Sequence, residues 1–210
     1  MGTFIAFEGI DGCGKNTQLL NTFRWLNDSG RPVFWLSEPN EAGPIGKAIK
    51  AMLRGAISRP ADPVEFQRLY IIDRVQDIIA FIKPALKDPR AIYLVERFAL
   101  STIAYGMLSG KSADFFINLH EEIAGSHMLW PDLTILIDLP AEVAMQRISE
   151  GRSKNEAFEK LEILKKVRMN YLSLVAHPQF RDKITVIDGN RPRDEVFEDV
   201  KKVIQKLIHN

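Results

Sequence analysis

Residues 4–17 have the sequence FIAFEGIDGCGKNT, and this stretch decides the expected fold. A short apolar run, Phe4 to Phe7, leads into a glycine-rich segment from Gly9 to Gly14, and an amphipathic pattern begins near Lys15. The segment matches G-x-x-x-x-G-K between a predicted strand and a predicted helix, which is the setting of a phosphate-binding loop. Glycines let the backbone wrap around a phosphate chain, and the amide groups and the helix N-terminus then face the anion. Lys15 supplies a cation for the β- and γ-phosphates of a nucleotide.

The predicted ATP-binding residues all belong to this motif, and they are Gly9, Asp11, Gly12, Cys13, Gly14, Lys15, Asn16 and Thr17. Asn16 departs from the motif, which has Ser or Thr at this position as a magnesium ligand. An amide oxygen can bind a hard cation, so the sequence leaves open whether Asn16 binds Mg²⁺ directly, through water, or with help from Thr17. Cys13 lies near a helix N-terminus, which predicts a lowered thiol pKa and inactivation by alkylation.

The rest of the chain alternates short apolar runs with longer amphipathic stretches. The runs lack strict alternation and predict strands buried on both faces of a parallel sheet, at 4–7, 33–36, 92–95, 133–137 and 184–187. Helices are predicted at about 15–28, 44–54, 62–86, 99–108, 114–125, 140–149, 156–175 and 192–208. Asp62 before Pro63 predicts a capped helix start. This order indicates one α/β domain that spans residues 1–210.

Composition narrows the class of protein. The chain has 210 residues, a formal net charge of +1 and 46% hydrophobic residues, so it is globular and has no overall charge that would favour a nucleic acid or a membrane. The single cysteine excludes an intrachain disulfide and fits a reducing compartment. The first residues contain no signal-peptide pattern. We therefore expect a cytoplasmic protein with neither a nucleic-acid nor a membrane partner.

The phosphate-loop segment resembles that of the thymidylate kinase family, and the resemblance recurs in order along the chain. The further matching segments are Glu38-Pro39 with 43–46, Leu69 to Arg74, Glu96-Arg97-Phe98 with Ser101 and Tyr105, and Pro131 to Pro140. The resemblance implies a P-loop NTPase fold with a five-stranded parallel sheet of order 2-3-1-4-5 flanked by helices. It also implies transfer of the γ-phosphoryl group of ATP to dTMP with Mg²⁺, in a homodimer.

The predicted acceptor site centres on the helix that contains Tyr70 and Arg74. These residues are four apart and so share one helix face, although a core tyrosine and a surface arginine would have the same spacing. The resemblance implies that Tyr70 stacks on thymine and that Arg74 and Arg97 bind the acceptor phosphate. Together with these, the implied acceptor-binding residues are Asp11, Glu38, Phe66, Ser101 and Tyr105.

The resemblance also implies the catalytic residues, which are Lys15, Glu96, Arg97 and Arg152. Glu96 stands where the family has Asp, and it is the predicted carboxylate ligand of Mg²⁺. Asn16 is the predicted neutral ligand, and either residue could act directly or through water. Asp138 ends another apolar strand and competes for that role. A polar segment at about 148–158 is predicted to form a lid. Gly12 indicates that the catalytic cation comes from this lid, with Arg152 preferred over Arg147 and Lys154.

Two other functions remain open at this stage. Ser37, Tyr70, Glu96 and Phe98 differ from the family pattern, so the acceptor could be another nucleoside monophosphate or a nucleoside. Asn16 and Glu96 both depart from the expected pattern near the metal. A nucleotide-binding regulator without catalytic activity is therefore the more distant alternative.

Overall fold

The central feature of the computed structural model is a parallel sheet of five strands. The strands are Thr3–Glu8 (β1), Val33–Ser37 (β2), Ile92–Glu96 (β3), Leu133–Asp138 (β4) and Ile184–Asp188 (β5). They pair in the order β2-β3-β1-β4-β5, and every pairing is parallel. The predicted sheet and its order are confirmed. The structure describes residues 1–148 and 154–208, and side chains only outside 154–159.

Helices follow the strands as the amphipathic pattern predicts. They are Lys15–Asp28 (α1), Pro44–Leu53 (α2), Pro63–Asp77 (α3), Lys83–Ala85 (α4), Ala99–Gly106 (α5), Ala113–Ala124 (α6), Ala141–Ile148 (α7), Lys154–Val175 (α8) and Arg193–Ile208 (α9). A π-helical segment, Ile78–Ile82, joins α3 to α4, so that residues 63–85 are helical throughout. No helix within residues 1–148 and 154–208 combines the length and the apolar character needed to cross a membrane.

Alternate residues of β1 pack into two different layers, as the two-residue period of a strand requires. Ile5 and Phe7 belong to the larger apolar cluster, while Phe4 and Ala6 belong to a second cluster on the other face. The helices therefore cover both faces of the central strands, and the carboxyl end of β1 is held in a fixed position.

The two edge strands correct one expectation from the sequence. Burial on both faces holds for β1, β3 and β4 but not for β2 and β5. Phe34 and Trp35 of β2 are 45% and 42% exposed, and Val186 of β5 is 40% exposed. An edge strand has a neighbour on one side only, so an apolar run does not ensure that its side chains are covered.

The start of α3 shows how local chemistry fixes a boundary. Asp62 accepts a hydrogen bond from the Val64 backbone amide at 2.8 Å, and Pro63 occupies the first helical turn. This is the predicted cap, and it orients the helix that contains Phe66, Tyr70 and Arg74.

Candidate active site

The predicted phosphate loop runs from the end of β1 to the start of α1. Gly9, Gly12 and Gly14 have φ angles of +140°, +80° and +93°, a region of backbone conformation that residues other than glycine rarely adopt. A Cβ atom on Gly12 would also lie 2.8 Å from the Ala144 carbonyl oxygen. The glycines of the motif are therefore required by backbone geometry and by contact with α7.

Lys15 begins α1 and lies against the loop. Its Nζ donates to the Ile10 carbonyl oxygen at 3.3 Å, and the residue is 5% exposed. Burial, with the nearby positive charge of Arg97, lowers the pKa of Lys15. The ammonium group is thus held at the loop by packing rather than extended into solvent.

Cys13 corrects the expectation of a reactive thiol. The residue is 3% exposed, and a Cβ atom on Gly9 would lie 2.8 Å from its Sγ atom. Burial raises the pKa of the Cys13 thiol, and this effect exceeds the lowering by the charge of Lys15. The predicted lowering of the pKa by the helix N-terminus is wrong because loss of solvation dominates at this position.

A cleft of about 760 Å³ opens beside the phosphate loop. All the predicted acceptor residues line it, and they are Asp11, Glu38, Phe66, Tyr70, Arg74, Arg97, Ser101 and Tyr105. They come from the phosphate loop, the segment after β2, α3, the turn after β3, and α5. Residues more than 90 positions apart in the sequence therefore share one concave surface.

Arg97 lies where the phosphate loop and the cleft meet. Its backbone φ is +62°, and its guanidinium group donates to Asp11 Oδ1 at 2.6 Å and to Ser101 Oγ at 3.0 Å. The group also stacks over the Tyr105 ring, 5.5 Å from the centroid. Burial acts to raise the pKa of Asp11, but the charges of Arg97, Lys15 and Lys160 together lower it.

Arg74 has a different environment, because its side chain is only 1% exposed. Its Nε and Nη2 atoms donate to Glu38 Oε2 at 3.0 and 2.6 Å. Nη2 also donates to Thr102 Oγ1 at 3.0 Å, and Nη1 lies 2.7 Å from His120 Nε2. The guanidinium is thus held on three sides. Burial raises the pKa of Glu38 to about 8, although the charge of Arg74 acts to lower it.

The aromatic side of the cleft is formed by α3. The rings of Phe66 and Tyr70 pack edge to face with centroids 5.3 Å apart, and Arg59 lies over the Phe66 ring. Burial raises the pKa of Tyr70 to about 12, so the phenol stays neutral. A planar base can stack on the uncharged Tyr70 ring.

The two candidate metal acids differ in their partners. Both carboxylate oxygens of Asp138 accept hydrogen bonds from Arg168, at 2.7 and 2.8 Å. Glu96 accepts a hydrogen bond from Ser37 Oγ at 3.0 Å, and it forms no ion pair with the described side chains. Asn16 is exposed at the start of α1, and Thr17 is partly buried.

The structure describes only one of the three candidate lid cations in full. Arg152 lies outside the described residues, and the side chain of Lys154 is also outside them. Arg147 points toward the phosphate loop, where it donates to the carbonyl oxygens of Gly12 at 3.4 Å and Gly189 at 3.3 Å. Arg147 therefore contacts the phosphate loop.

A comparison with known families agrees with this geometry. The family model of thymidylate kinase matches residues 7–200. The chain belongs to the thymidylate kinase family. A thymidylate kinase of Nitratidesulfovibrio vulgaris is 34% identical, covering 98% of this chain and 97% of that protein. A probable thymidylate kinase of Archaeoglobus fulgidus is 36% identical, covering 98% and 96%, and a thymidylate kinase of Geobacter sulfurreducens is 36% identical, covering 90% of each.

This member of the thymidylate kinase family also has site residues that sequence reasoning missed. Lys160 of α8 lines the cleft, with Nζ 3.8 Å from Asp11 Oδ2. His120 of α6 contacts Arg74, and Glu8 contacts Ser101. Only Glu8 had a sequence signal, since it is an acid in an otherwise apolar strand. Lys160 and His120 have none, because their roles arise from the docking of separate helices.

Proposed function

We propose that the protein catalyses ATP + dTMP → ADP + dTDP. The observation that carries this proposal is the meeting of the phosphate loop and the acceptor cleft at the Asp11–Arg97 pair, whose side chains are 2.6 Å apart. A donor phosphate on the loop and an acceptor phosphate at Arg97 would then be neighbours. Phosphoryl transfer depends chiefly on such positioning and on compensation of charge.

On the donor side, the loop amides and Lys15 would bind the β- and γ-phosphates of ATP. Lys15 is confined by packing, so little conformational freedom remains to be lost when it binds phosphate. Arg147 of α7 donates to the Gly12 and Gly189 carbonyl oxygens and so supports the phosphate loop. We retain Arg152 as the proposed lid cation that compensates charge in the transition state.

The residues near the carboxyl ends of β1 and β3 offer oxygen ligands that suit Mg²⁺. Mg²⁺ is usually held by one or two carboxylates together with substrate phosphates, so a cluster of three acids is not required. We propose Glu96 as the metal acid because the charge of Asp138 is already paired with Arg168, with Asn16 as the neutral ligand, either directly or through water. When bound, Mg²⁺ would neutralise charge on the transferring phosphoryl group.

On the acceptor side, we propose that Arg97 binds the phosphate and that Tyr70 and Phe66 hold the base. Arg74 is less suited to the phosphate than the sequence suggested, since its charge already faces Glu38 and its side chain is 1% exposed. Of its five N–H donors, four make the contacts described above, and Glu38 Oε1 has no hydrogen-bond partner within the described chain.

The remaining N–H donor of Arg74, which lines the cleft, suits a neutral base edge. Thymine offers this donor a carbonyl oxygen. Cytosine presents an amino group where thymine has that oxygen, and two donors would then face each other. A buried donor left without an acceptor costs roughly 1–3 kcal/mol, enough to select between the two bases.

A coupled assay of ADP release across the nucleoside monophosphates tests the proposal. We expect dTMP to give the highest kcat/KM, with dCMP, dGMP and dAMP well below it. A higher kcat/KM for another monophosphate or for thymidine would replace dTMP as the acceptor. ATP binding without turnover of any acceptor would favour the regulator instead.

The setting of the reaction is also a proposal. Membership of the family favours a homodimer and a cytoplasmic location, with ATP and dTMP as the small-molecule partners. The net charge of +1 offers no general attraction for nucleic acid or for an anionic membrane. Sedimentation equilibrium at micromolar concentration would test the dimer directly, since a monomeric mass would contradict it.

A further inference from the structure

Glu8 is a buried acid that the proposed reaction does not yet use. It is the last residue of β1 and is 0% exposed, and it does not line the cleft. Its carboxylate nevertheless accepts four hydrogen bonds from two different elements. The donors are the Phe98 amide at 2.8 Å, the Ser101 amide at 3.0 Å, the Ser101 hydroxyl at 2.6 Å and the Tyr171 hydroxyl at 3.0 Å.

One oxygen, Oε1, holds the turn that contains Arg97. Helix α5 has no capping side chain of its own, and Glu8 Oε1 accepts the amides of Phe98 and Ser101 in its place. The Arg97 amide donates to the Phe7 carbonyl oxygen at 2.9 Å, immediately before Glu8. The end of β1 therefore anchors the turn in which Arg97 adopts a φ of +62°.

The other oxygen, Oε2, sets the polarity of the Ser101 hydroxyl. Ser101 Oγ lies 2.6 Å from Glu8 Oε2, which only accepts, and 2.7 Å from the Tyr171 hydroxyl oxygen. Ser101 therefore donates its one proton to Glu8, and Tyr171 shares its own proton between Ser101 Oγ and Glu8 Oε2, which is 3.0 Å away. The Ser101 oxygen is then an acceptor, and Arg97 Nη1 donates to it at 3.0 Å. A chain of hydrogen bonds thus runs from a fully buried carboxylate to the guanidinium group at the cleft.

We propose that Glu8 is a positioning residue that orients Arg97 toward the acceptor phosphate by acting through the Ser101 hydroxyl. This inference rests on the proposed function, in which Arg97 binds that phosphate. Asp11 holds Nη2 from the phosphate loop, and Ser101 holds Nη1 from α5, so the plane of the guanidinium is defined at two points. Without the Ser101 contact, one of these points is lost.

Glu8→Gln separates this role from a general structural one. The amide oxygen can still accept the two backbone amides, so the cap of α5 is kept. The amide NH₂ then faces the Ser101 oxygen as a third donor beside Arg97 Nη1 and the Tyr171 hydroxyl, and it competes with Arg97 because that oxygen has only two lone pairs. We expect the KM for dTMP to rise about tenfold or more, as for loss of a charge-assisted contact, while the KM for ATP stays unchanged.

Two comparisons make the test specific. Binding of thymidine, which lacks the phosphate, should be unaffected by Glu8→Gln in calorimetry, whereas binding of dTMP weakens. Ser101→Ala keeps the Glu8 cap and removes the link, so it should reproduce the loss for dTMP even where Glu8→Gln does not fold. In the double variant the two effects should not add, because both act on one contact.

Asp132→Asn is the matched acid-to-amide control. Asp132 accepts the Phe4 amide at 2.8 Å at the opposite end of β1, so its replacement should change neither KM. Equal effects of Glu8→Gln on ATP and dTMP, additive effects with Ser101→Ala, or weaker binding of thymidine would each overturn the proposal. If the assay of acceptors identifies another monophosphate, the same comparison uses that molecule and its nucleoside, so failure of dTMP as acceptor is distinguished from failure of Glu8.

Discussion

At the scale of the residue, Lys15 is the buried cation at the start of α1 that contacts the phosphate loop. We expect Lys15→Ala to lower kcat by about 100-fold or more, because a preorganised charge on the transferring phosphoryl group is lost. The fold should persist, as judged by circular dichroism and Tm. Lys47→Ala, which removes an exposed lysine of α2, is the control and should leave kcat unchanged. A folded Lys15→Ala variant with normal turnover would remove the phosphate-loop assignment.

Tyr70 tests the base side of the cleft. We expect Tyr70→Ala to raise the KM for dTMP about tenfold or more, since stacking of a base on an aromatic ring contributes about 1–3 kcal/mol. The KM for ATP should change little. Ile72→Ala, on the same helix but 36% exposed, is the matched control. Equal increases for both substrates would place Tyr70 outside the acceptor site.

At the scale of the element, the start of α2 is locked against the segment that follows β2. Asn40 in that segment binds α3, with its amide N–H donating to Asp73 at 2.9 Å and its side chain to Asp77 at 2.7 Å. A Cβ atom on Gly46 would overlap the Asn40 carbonyl oxygen. The close approach of α2 to Asn40 therefore requires glycine at position 46. This packing also fixes the segment that contains Glu38, which lines the cleft.

We expect Gly46→Ala to lower the free energy of unfolding by about 1–3 kcal/mol, the usual cost of overpacking. The KM for dTMP should rise with it, because displacement of the segment moves Glu38. Gly43→Ala is the control, since a Cβ atom there finds its nearest neighbour at 3.5 Å, an ordinary contact. Denaturant titration measures both variants. Equal stability of the two would show that α2 can shift without cost.

At the scale of the whole molecule, His120 links stability to pH. Its Nδ1 atom lies 2.6 Å from the Phe116 carbonyl oxygen, which only accepts, and Nε2 faces Arg74, which only donates. The ring must therefore be neutral, with its proton on Nδ1. Burial, together with the charge of Arg74, lowers the pKa of His120 to about 3.

Between this pKa and the value of about 6.5 in the unfolded chain, only the unfolded state takes up the proton. The stabilisation from His120 is complete above about pH 6.5 and is lost as the pH falls toward 3. We expect this group to remove about 2 kcal/mol of unfolding free energy between pH 7 and pH 5. Denaturant titrations at both pH values should show a smaller decline in His120→Gln. His127→Gln, at an exposed position, should decline like the wild type, and an equal decline in His120→Gln would contradict the linkage.

The sequence by itself determined the features that depend on near neighbours. The glycine spacing from Gly9 to Gly14 predicts a phosphate-binding loop, and Asp62 before Pro63 predicts the start of α3. The resemblance to the family predicted the strand order, which is confirmed, and a set of acceptor-binding residues, which lie together along one cleft. Strand runs, caps and motifs are encoded within short stretches of chain, so they can be recognised without the structure.

Only the tertiary structure decided how these residues are partnered and buried. Glu8 and Ser101 are 93 positions apart, and Arg74 and His120 are 46 apart, yet each pair forms a buried hydrogen bond. Cys13 has a raised pKa because surrounding elements exclude water from it, although its local position suggests the reverse. Solvation and pairing are set by every element that packs around a group, and a local pattern contains no record of those distant neighbours.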